Sequence, residues 1–336
     1  MPSHETIRAK KKLLGKGVRL GAGIHISGIH DLPCELLVIG DNAFIGDSVR
    51  IHAPKVFIGD YATIHQRVTI YGYSPVRIGR CVWIGQDAIL NCTAPLFIGD
   101  GATLGAGSSI WTHFTGGDFL QGFRLSKVKP AFIGDDSFIG PHAVVSPVSI
   151  RKRAIVLAGS VVTRDLEGNR IYAGVPATEV TDKLGGPPFE ERSLEEKFLI
   201  LKEKLIAFDK DYKERRKGFA PYLSSSSHGL KVWLGGVEEG VITGSQAQDA
   251  NEFSASNIVI TKRPCYENEP LSVFSVLDRT FTKRNTPEEV SFMRFLLPAI
   301  KFFPMKDKKD ELAIAELAET FSAYGLDLES LMENAQ

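Results

Sequence analysis

The chain has 336 residues, more than one ordinary domain of roughly 150, so two domains are expected. Its 40 Lys and Arg balance 40 Asp and Glu, and a formal charge of zero argues against a nucleic-acid or other polyanion binder, whose phosphate contacts need a cationic excess. At 43% apolar and 24% charged residues the chain can bury a globular core, yet no apolar run approaches the ~20 residues of a membrane span.

The opening MPSHETIRAKKKLL is polar and basic with no apolar segment behind it, unlike a secretory signal, and residues 1–17 read as an N-terminal segment. Cys34, Cys81, Cys92 and Cys265 are scattered without CxxC spacing. That pattern suggests neither a disulfide framework nor a zinc site, and a reducing, cytoplasmic location is expected.

From about residue 18 a repeat takes over. IGD occurs at 39–41, 45–47, 58–60, 98–100 and 133–135. Large aliphatics recur every six residues in triplets: Ile39, Ile45, Ile51; Ile58, Ile64, Ile70; Ile78, Ile84, Leu90; Ile98, Leu104, Ile110. After one interruption they resume as Ile133, Ile139, Val145 and Ile150, Val156, Val162. Four places beyond these aliphatics stands Ala, Ser or Val, with only Lys55, Phe114 and Leu166 departing. Such a step predicts short strands joined by tight corners, three to a coil. The aliphatic points inward, the small residue fits the corner, and Gly supplies the positive φ that turning demands. Coils then stack as parallel strands about 4.8 Å apart. Six or seven coils over 18–167 account for the pattern. An ordinary sandwich of short strands leaves the fixed step of six unexplained.

Over 98–180 the chain reads IGDGATLGAGSSIWTHFTGG, a break, then AFIGDDSFIGPHAVVSPVSIRKRAIVLAGSVVTRDLEGNRIYAGVPATEV. These hexads, with AGSVVTRD followed by IYAGVPA, resemble the left-handed parallel β-helix of the hexapeptide-repeat acyltransferases, a family that includes galactoside, maltose and serine O-acetyltransferases. The resemblance covers about 18–180. It implies a homotrimer with active sites between adjacent β-helices, acetyl-CoA as co-substrate, no metal, and a sugar or glycan precursor as acceptor.

The break, THFTGGDFLQGFRLSKVKP, suspends the repeat for about one coil, and excursions from a rigid scaffold often carry function. His113 stands at its mouth. In the resembling enzymes a histidine there is the general base, a task suited to imidazole; otherwise His113 is a corner residue bonded to loop backbone. Trp111 is placed as a wall of the cleft or a cap on the core. Asp118 is placed on His113 or the acceptor, or as a solvated loop carboxylate. Asp87 falls roughly where relatives carry a polar acceptor contact, commonly Asn.

The family's CoA groove maps onto Ala158, Thr163 and Arg164, with Arg in place of the usual Lys. Phe138 stands where Trp is frequent, and Pro141 replaces a common serine. Lys183 is the nearest cation after VPA. A zinc hydrolase on the same scaffold needs three histidines between subunits. His52 and His65 each follow a triplet aliphatic directly whereas His142 stands three places beyond one, and His25 and His30 read as surface residues of an irregular first coil.

LGGPPFEERS ends the repeat, and residues 184–218 read as a capping helix with the stripe Leu194, Phe198, Leu201, Leu205, Phe208, Tyr212. A three-stranded coil on the trimer axis is the other use of that stripe. KGFAPYLSSSSHG reads as a linker. Strands at KVWLGGV, NIVIT and LSVFSVLDRTFTK and helices at PEEVSFMRFLLPAIKFF and DELAIAELAETFSAYG make 219–336 a small α/β domain of unassigned role.

The expected protein is therefore mainly β: a left-handed parallel β-helix over 18–183, a helix, and a small α/β domain. Direct O-acetylation through His113 is the expected activity. N-acetylation of a nucleotide-linked amino sugar is the alternative within enzymes, and a silent scaffold with a C-terminal binding module the alternative outside them.

Overall fold

The computed structural model describes residues 6–216, 232–235, 242–243, 258–268, 272–305 and 308–333. Two compact units divide the chain: Met1–Glu190 together with Lys306–Gln336, and Glu191–Met305.

The first unit is a three-sided parallel β-helix. Its sheets hold eight, seven and nine strands among the described residues, all paired in register with the coil before and after except the last hairpin. Sheet 1 runs from Thr6–Ile7 to Val161–Val162, sheet 2 from Ala9–Leu14 to Ser149–Ile150, and sheet 3 from Arg19–Leu20 to Thr178–Glu179. The hexad aliphatics form the inner column. Ile51, Ile70, Leu90, Ile110, Val145 and Val162 stack coil upon coil and are buried completely. The break over 112–130 leaves this column intact, because Ile110 pairs directly with Val145 on the far side of it.

Two expectations are corrected here. The coil begins at Thr6, not near residue 18: Ile7 lies beside Ile26 and Leu14 beside Ile39. Lys10, Lys11 and Lys12 hide the pattern because the first coil forms the open end of the column, where polar residues meet water. Where a glycine follows the aliphatic, it also has another role than turning. The left-handed conformation falls on the third residue of the corner, as at Asn42, Arg67, Asp87 and His142. The glycine is required because the next coil passes too close: a Cβ on Gly59 meets the Arg80 amide nitrogen at 2.5 Å, and one on Gly85 meets that of Ala106 at 2.5 Å.

Sheet 2 also carries a second apolar row facing outward. Leu36, Val38, Phe57, Phe97 and Phe132 are buried under two helices of the same unit. We label the helices in chain order: α1 (Leu194–Arg216), α2 (Pro287–Leu296), α3 (Lys308–Ser322) and α4 (Leu328–Glu333). Ala313, Leu317 and Phe321 of α3 recur every four residues and, with Leu328 of α4, cover the row. The DELAIAELAETFSAYG helix thus belongs to the β-helix unit rather than to a domain spanning 219–336. The alternation of inner and outer apolar residues in CELLVI, VFI, LFI and AFI is the signal for it.

A charged cluster sits under the start of α3. Asp100 accepts from Arg77 Nη2 at 2.9 Å, from Arg80 Nε at 2.9 Å and from the Arg80 amide at 2.8 Å. Asp310 of α3 lies 3.7 Å from Arg80 Nε. Burial alone would raise the Asp100 pKa, but the two guanidinium groups and their hydrogen bonds hold it well below the ordinary carboxylate range.

The far end of the coil is closed by 166–190. Leu166, Tyr172 and Ala177 are buried there, and the Phe189 amide donates to Asn169 Oδ1 at 3.0 Å. α1 groups with the second unit instead, where Phe208 packs on Phe292 and Phe295 with ring centroids 5.3 Å apart in both pairs. The side chains of Leu205 and Tyr212 lie outside the described residues, so the stripe is seen only in part. The second unit is a small α/β fold. Its mixed sheet orders Ile242–Thr243, Val232–Gly235, Ile258–Thr261, Ser272–Ser275, Thr280–Phe281 and Phe303–Pro304, with Phe274, Phe281, Phe292 and Phe302 in its core. The KGFAPYLSSSSHG segment lies outside the described residues.

Asp100→Ala strands two buried guanidinium groups and is expected to cost about 3–5 kcal/mol in urea unfolding. A depressed folded pKa means that this stabilisation is complete above the ordinary carboxylate value of ~3.9 and is lost as the pH falls below it. The gap between wild type and variant should accordingly narrow in acid.

Candidate active site

The strand Ile89–Asn91 places Leu90 inward and ends where sheet 1 turns toward sheet 2. Asn91 is therefore held at a corner, fully buried, between Tyr71 of the coil before and the Trp111–His113 corner of the coil after. Its Oδ1 accepts from the Thr112 hydroxyl at 2.7 Å, from His113 Nδ1 at 2.9 Å and from the Thr93 amide at 3.1 Å. A backbone N–H can only donate, so the atom facing these groups is the carbonyl oxygen. An oxygen acceptor in turn requires the proton of neutral His113 to sit on Nδ1, leaving Nε2 with a free lone pair. Thr112 closes the arrangement: its hydroxyl also accepts from the Ala94 amide at 3.0 Å.

His113 itself begins the break. His113–Phe114 pairs antiparallel with Lys127–Val128, so the excursion leaves and rejoins the coil as a short hairpin. Trp111 stands edge-on to His113, with ring centroids 6.2 Å apart.

Two other expected acceptor contacts lie elsewhere. Asp118 Oδ1 accepts from the Leu120 amide at 2.8 Å and caps the 3-10 turn Phe119–Gln121. It organises the tip of the break instead of orienting His113. Asp87 sits at the opposite end of the Ile89–Asn91 strand, roughly 13 Å of extended chain away, and is paired with Arg67 through Oδ1–Nε at 2.7 Å and Oδ2–Nη2 at 2.8 Å. The polar residue that bonds His113 is Asn91, a position the hexad pattern does not mark because it follows the inward Leu90.

The expected donor positions spread along the last coils. Pro141 and Ala158 stack at the sheet 3 to sheet 1 corner, where the Gly159 amide donates to the Pro141 carbonyl at 2.9 Å. Thr163 and Arg164 lie exposed at the other corner, on the coil that follows Ser146, itself stacked above Trp111. Phe138 faces outward from sheet 3, between Thr103 and Ile155. Lys183 is exposed in the 3-10 turn Asp182–Leu184.

Cys92, next to Asn91, is no acyl-accepting nucleophile. It is fully buried, and that burial pushes its thiol up to about 12. Among the described residues, no three His, Cys, Asp or Glu side chains converge as a metal site. His52 bonds Ser27 and faces His25, His65 packs on Trp83, and His142 occupies a corner.

A family model described as the hexapeptide repeat of succinyl-transferase matches residues 75–111 and 130–164, stopping and resuming at the break. The β-helix is a hexapeptide-repeat unit. Galactoside O-acetyltransferase of Escherichia coli strain K12 is 39% identical over 146 residues, 43% of this chain and 63% of that protein. The bifunctional protein GlmU of Dichelobacter nodosus is 34% identical over 138 residues, 41% of this chain and 26% of that protein. The putative colanic acid biosynthesis acetyltransferase WcaF of E. coli K12 is 28% identical over 148 residues, 44% and 69% respectively. The chain thus spans about a quarter of GlmU and under two thirds of galactoside O-acetyltransferase.

Removing the Asn91 amide takes the acceptor from the buried Thr112 hydroxyl and from the half-buried Thr93 amide and His113 ring, so Asn91→Ala should destabilise the β-helix unit by about 1–3 kcal/mol in urea unfolding. Iodoacetamide should leave Cys92 unlabelled at pH 8 in the folded protein and label it after unfolding, as read by peptide mass spectrometry.

Proposed function

We propose that the chain is an acetyl-CoA-dependent acyltransferase acting on a hydroxyl of a sugar or glycan precursor by direct transfer, with His113 as general base. The observation that carries the reading is the Asn91–His113 bond. In the neutral ring it places the proton on Nδ1 and leaves Nε2 as proton acceptor, on a corner at the mouth of the 112–130 break. The similarity to sugar-acting acetyltransferases over the same coils supports the donor and the acceptor class.

In this reading Nε2 takes the hydroxyl proton as the oxygen attacks the thioester carbonyl. The imidazolium returns that proton to sulfur as the carbon–sulfur bond breaks. Asn91 acts on the reaction through His113 and is a positioning residue. Trp111 lines the acceptor side.

The donor would lie along the last coils. Ala158 and Gly159 offer an exposed corner with open space around Gly159 Cα. The Thr163 hydroxyl and the exposed cations Arg164 and Lys183 suit phosphate oxygens, and Phe138 and Pro141 give apolar surface. These positions are spread over separate faces of one coil stack, which fits a homotrimer whose grooves run between neighbours. A cytoplasmic location would supply acetyl-CoA; no helix among the described residues is long and apolar enough to cross a membrane.

His113→Ala should lower kcat for acyl transfer by about 10²–10⁴ while circular dichroism and calorimetric acetyl-CoA binding stay unchanged. An unaltered rate would remove His113 from the mechanism. Comparing hydroxyl and amino sugars in the same assay separates O- from N-acetylation.

A further inference from the structure

The corner that carries His113 continues toward the N-terminus as a ridge, and a groove opens on it. The 72–75 corner stacks on 92–95, where the Ser74 amide donates to the Cys92 carbonyl at 2.9 Å and the Ser74 hydroxyl to the Thr93 carbonyl at 2.9 Å. The 92–95 corner in turn bonds Thr112. Tyr73 therefore lies two coils, about 10 Å, from the His113 coil along the same edge.

The groove is built, not incidental. Tyr73 is 63% exposed although it is a large aromatic on a rigid corner. Gly72 beside it holds φ +152°, and any Cβ there would meet the Cys92 carbonyl carbon at 2.1 Å, so this corner packs directly against the next coil. The opposite wall is the turn Ile29–Asp31, with His30 and Asp31 both in the left-handed region at φ 52° and 61°. Two contacts pin it: Asp31 Oδ1 to His25 Nε2 at 2.9 Å, and Asp31 Oδ2 to Arg8 Nη1 at 3.3 Å. Leu32, Pro33 and Pro54 supply apolar lining, exposed at Leu32 and Pro33, and Lys10 and Glu35 line the same cleft of about 390 Å³. An aromatic and apolar lining with a few polar groups is the make-up of a small-ligand cleft.

We infer that this groove is a distal sugar subsite, and that the acceptor is a carbohydrate chain rather than a monosaccharide. The ring face of Tyr73 and the proline lining match the C–H face of a pyranose. The ammonium of Lys10 and the carboxylate of Glu35 match hydroxyls, which both accept and donate, and their opposite charges favour a neutral residue. The common ridge lets one chain reach from the groove to His113. The inference rests on the transferase reading above.

The test uses the full chain and a panel of defined neutral, N-acetylated and acidic glycans, from monosaccharide to hexasaccharide. Transfer kinetics and saturation-transfer NMR are read in parallel. Long acceptors of at least one series should have kcat/KM about tenfold above their monosaccharide, the scale of one aromatic contact. In Tyr73→Ala that ratio should fall to about one through KM, and Tyr73→Phe should keep it. The NMR contacts of the long glycans should be lost in Tyr73→Ala and kept in Tyr73→Phe. Transfer with no dependence on chain length, or a ratio unaffected by Tyr73→Ala, overturns the subsite and leaves the transferase reading intact. Tyr73-dependent glycan binding without any transfer overturns the transferase reading and leaves the groove as a glycan site. No binding and no transfer across the panel overturns both.

Discussion

Coils packed about 4.8 Å apart leave no room for anything between them, and the rest of the β-helix follows from that spacing. It favours an aliphatic at the same inward place in successive coils and a small residue at most corners. It also leaves little space for a side chain where one backbone passes close over another, as Gly59 does at Arg80. A repeat this strict can be interrupted only outside the column. The 112–130 break obeys the rule, since Ile110 and Val145 still pair across it.

The same stacking makes the site. Asn91 and His113 are 22 residues apart, yet one coil separates them, so a buried amide on one corner meets an imidazole on the next. Because the corner is rigid, the donor and acceptor roles are set before any substrate arrives, which is the condition for positioning a base efficiently. The hydrogen bonds from Thr93 and Thr112 make the oxygen of Asn91 the only chemically consistent neighbour for His113 Nδ1.

Much of this was legible in the residues. The period of six and the small corner residues located the β-helix directly, because inward packing leaves a strict periodic trace, and the same period marked the break that begins at His113. What the period did not carry was harder to see. Asn91 and the outward row of Phe57, Phe97 and Phe132 lie off the inward column, and their meaning comes from neighbours in other coils or in α3. Lys10–Lys12 masked the first coil because an open end tolerates charge where an inner coil does not. Asp87 stands at the corner that pairs it with Arg67, an ion pair between neighbouring coils that the period alone does not show.

The second unit stands apart from this logic. Its core is a cluster of phenylalanines around Phe274, with Phe281 stacked at 4.8 Å between centroids. Below it, the buried Glu289 accepts from the Ser272 hydroxyl and the Arg284 amide. Burial raises the Glu289 carboxyl despite those bonds.

The central claim is that Asn91 fixes the proton of neutral His113 on Nδ1. Ring ¹⁵N NMR of histidine-labelled protein measures this directly, with the His113 resonances assigned by their loss in His113→Gln. At a pH where the ring is neutral, the account predicts a protonated, pyrrole-type Nδ1 and an unprotonated, pyridine-type Nε2. A proton on Nε2 would contradict it, because no free lone pair would then be available at that nitrogen to accept the substrate's proton.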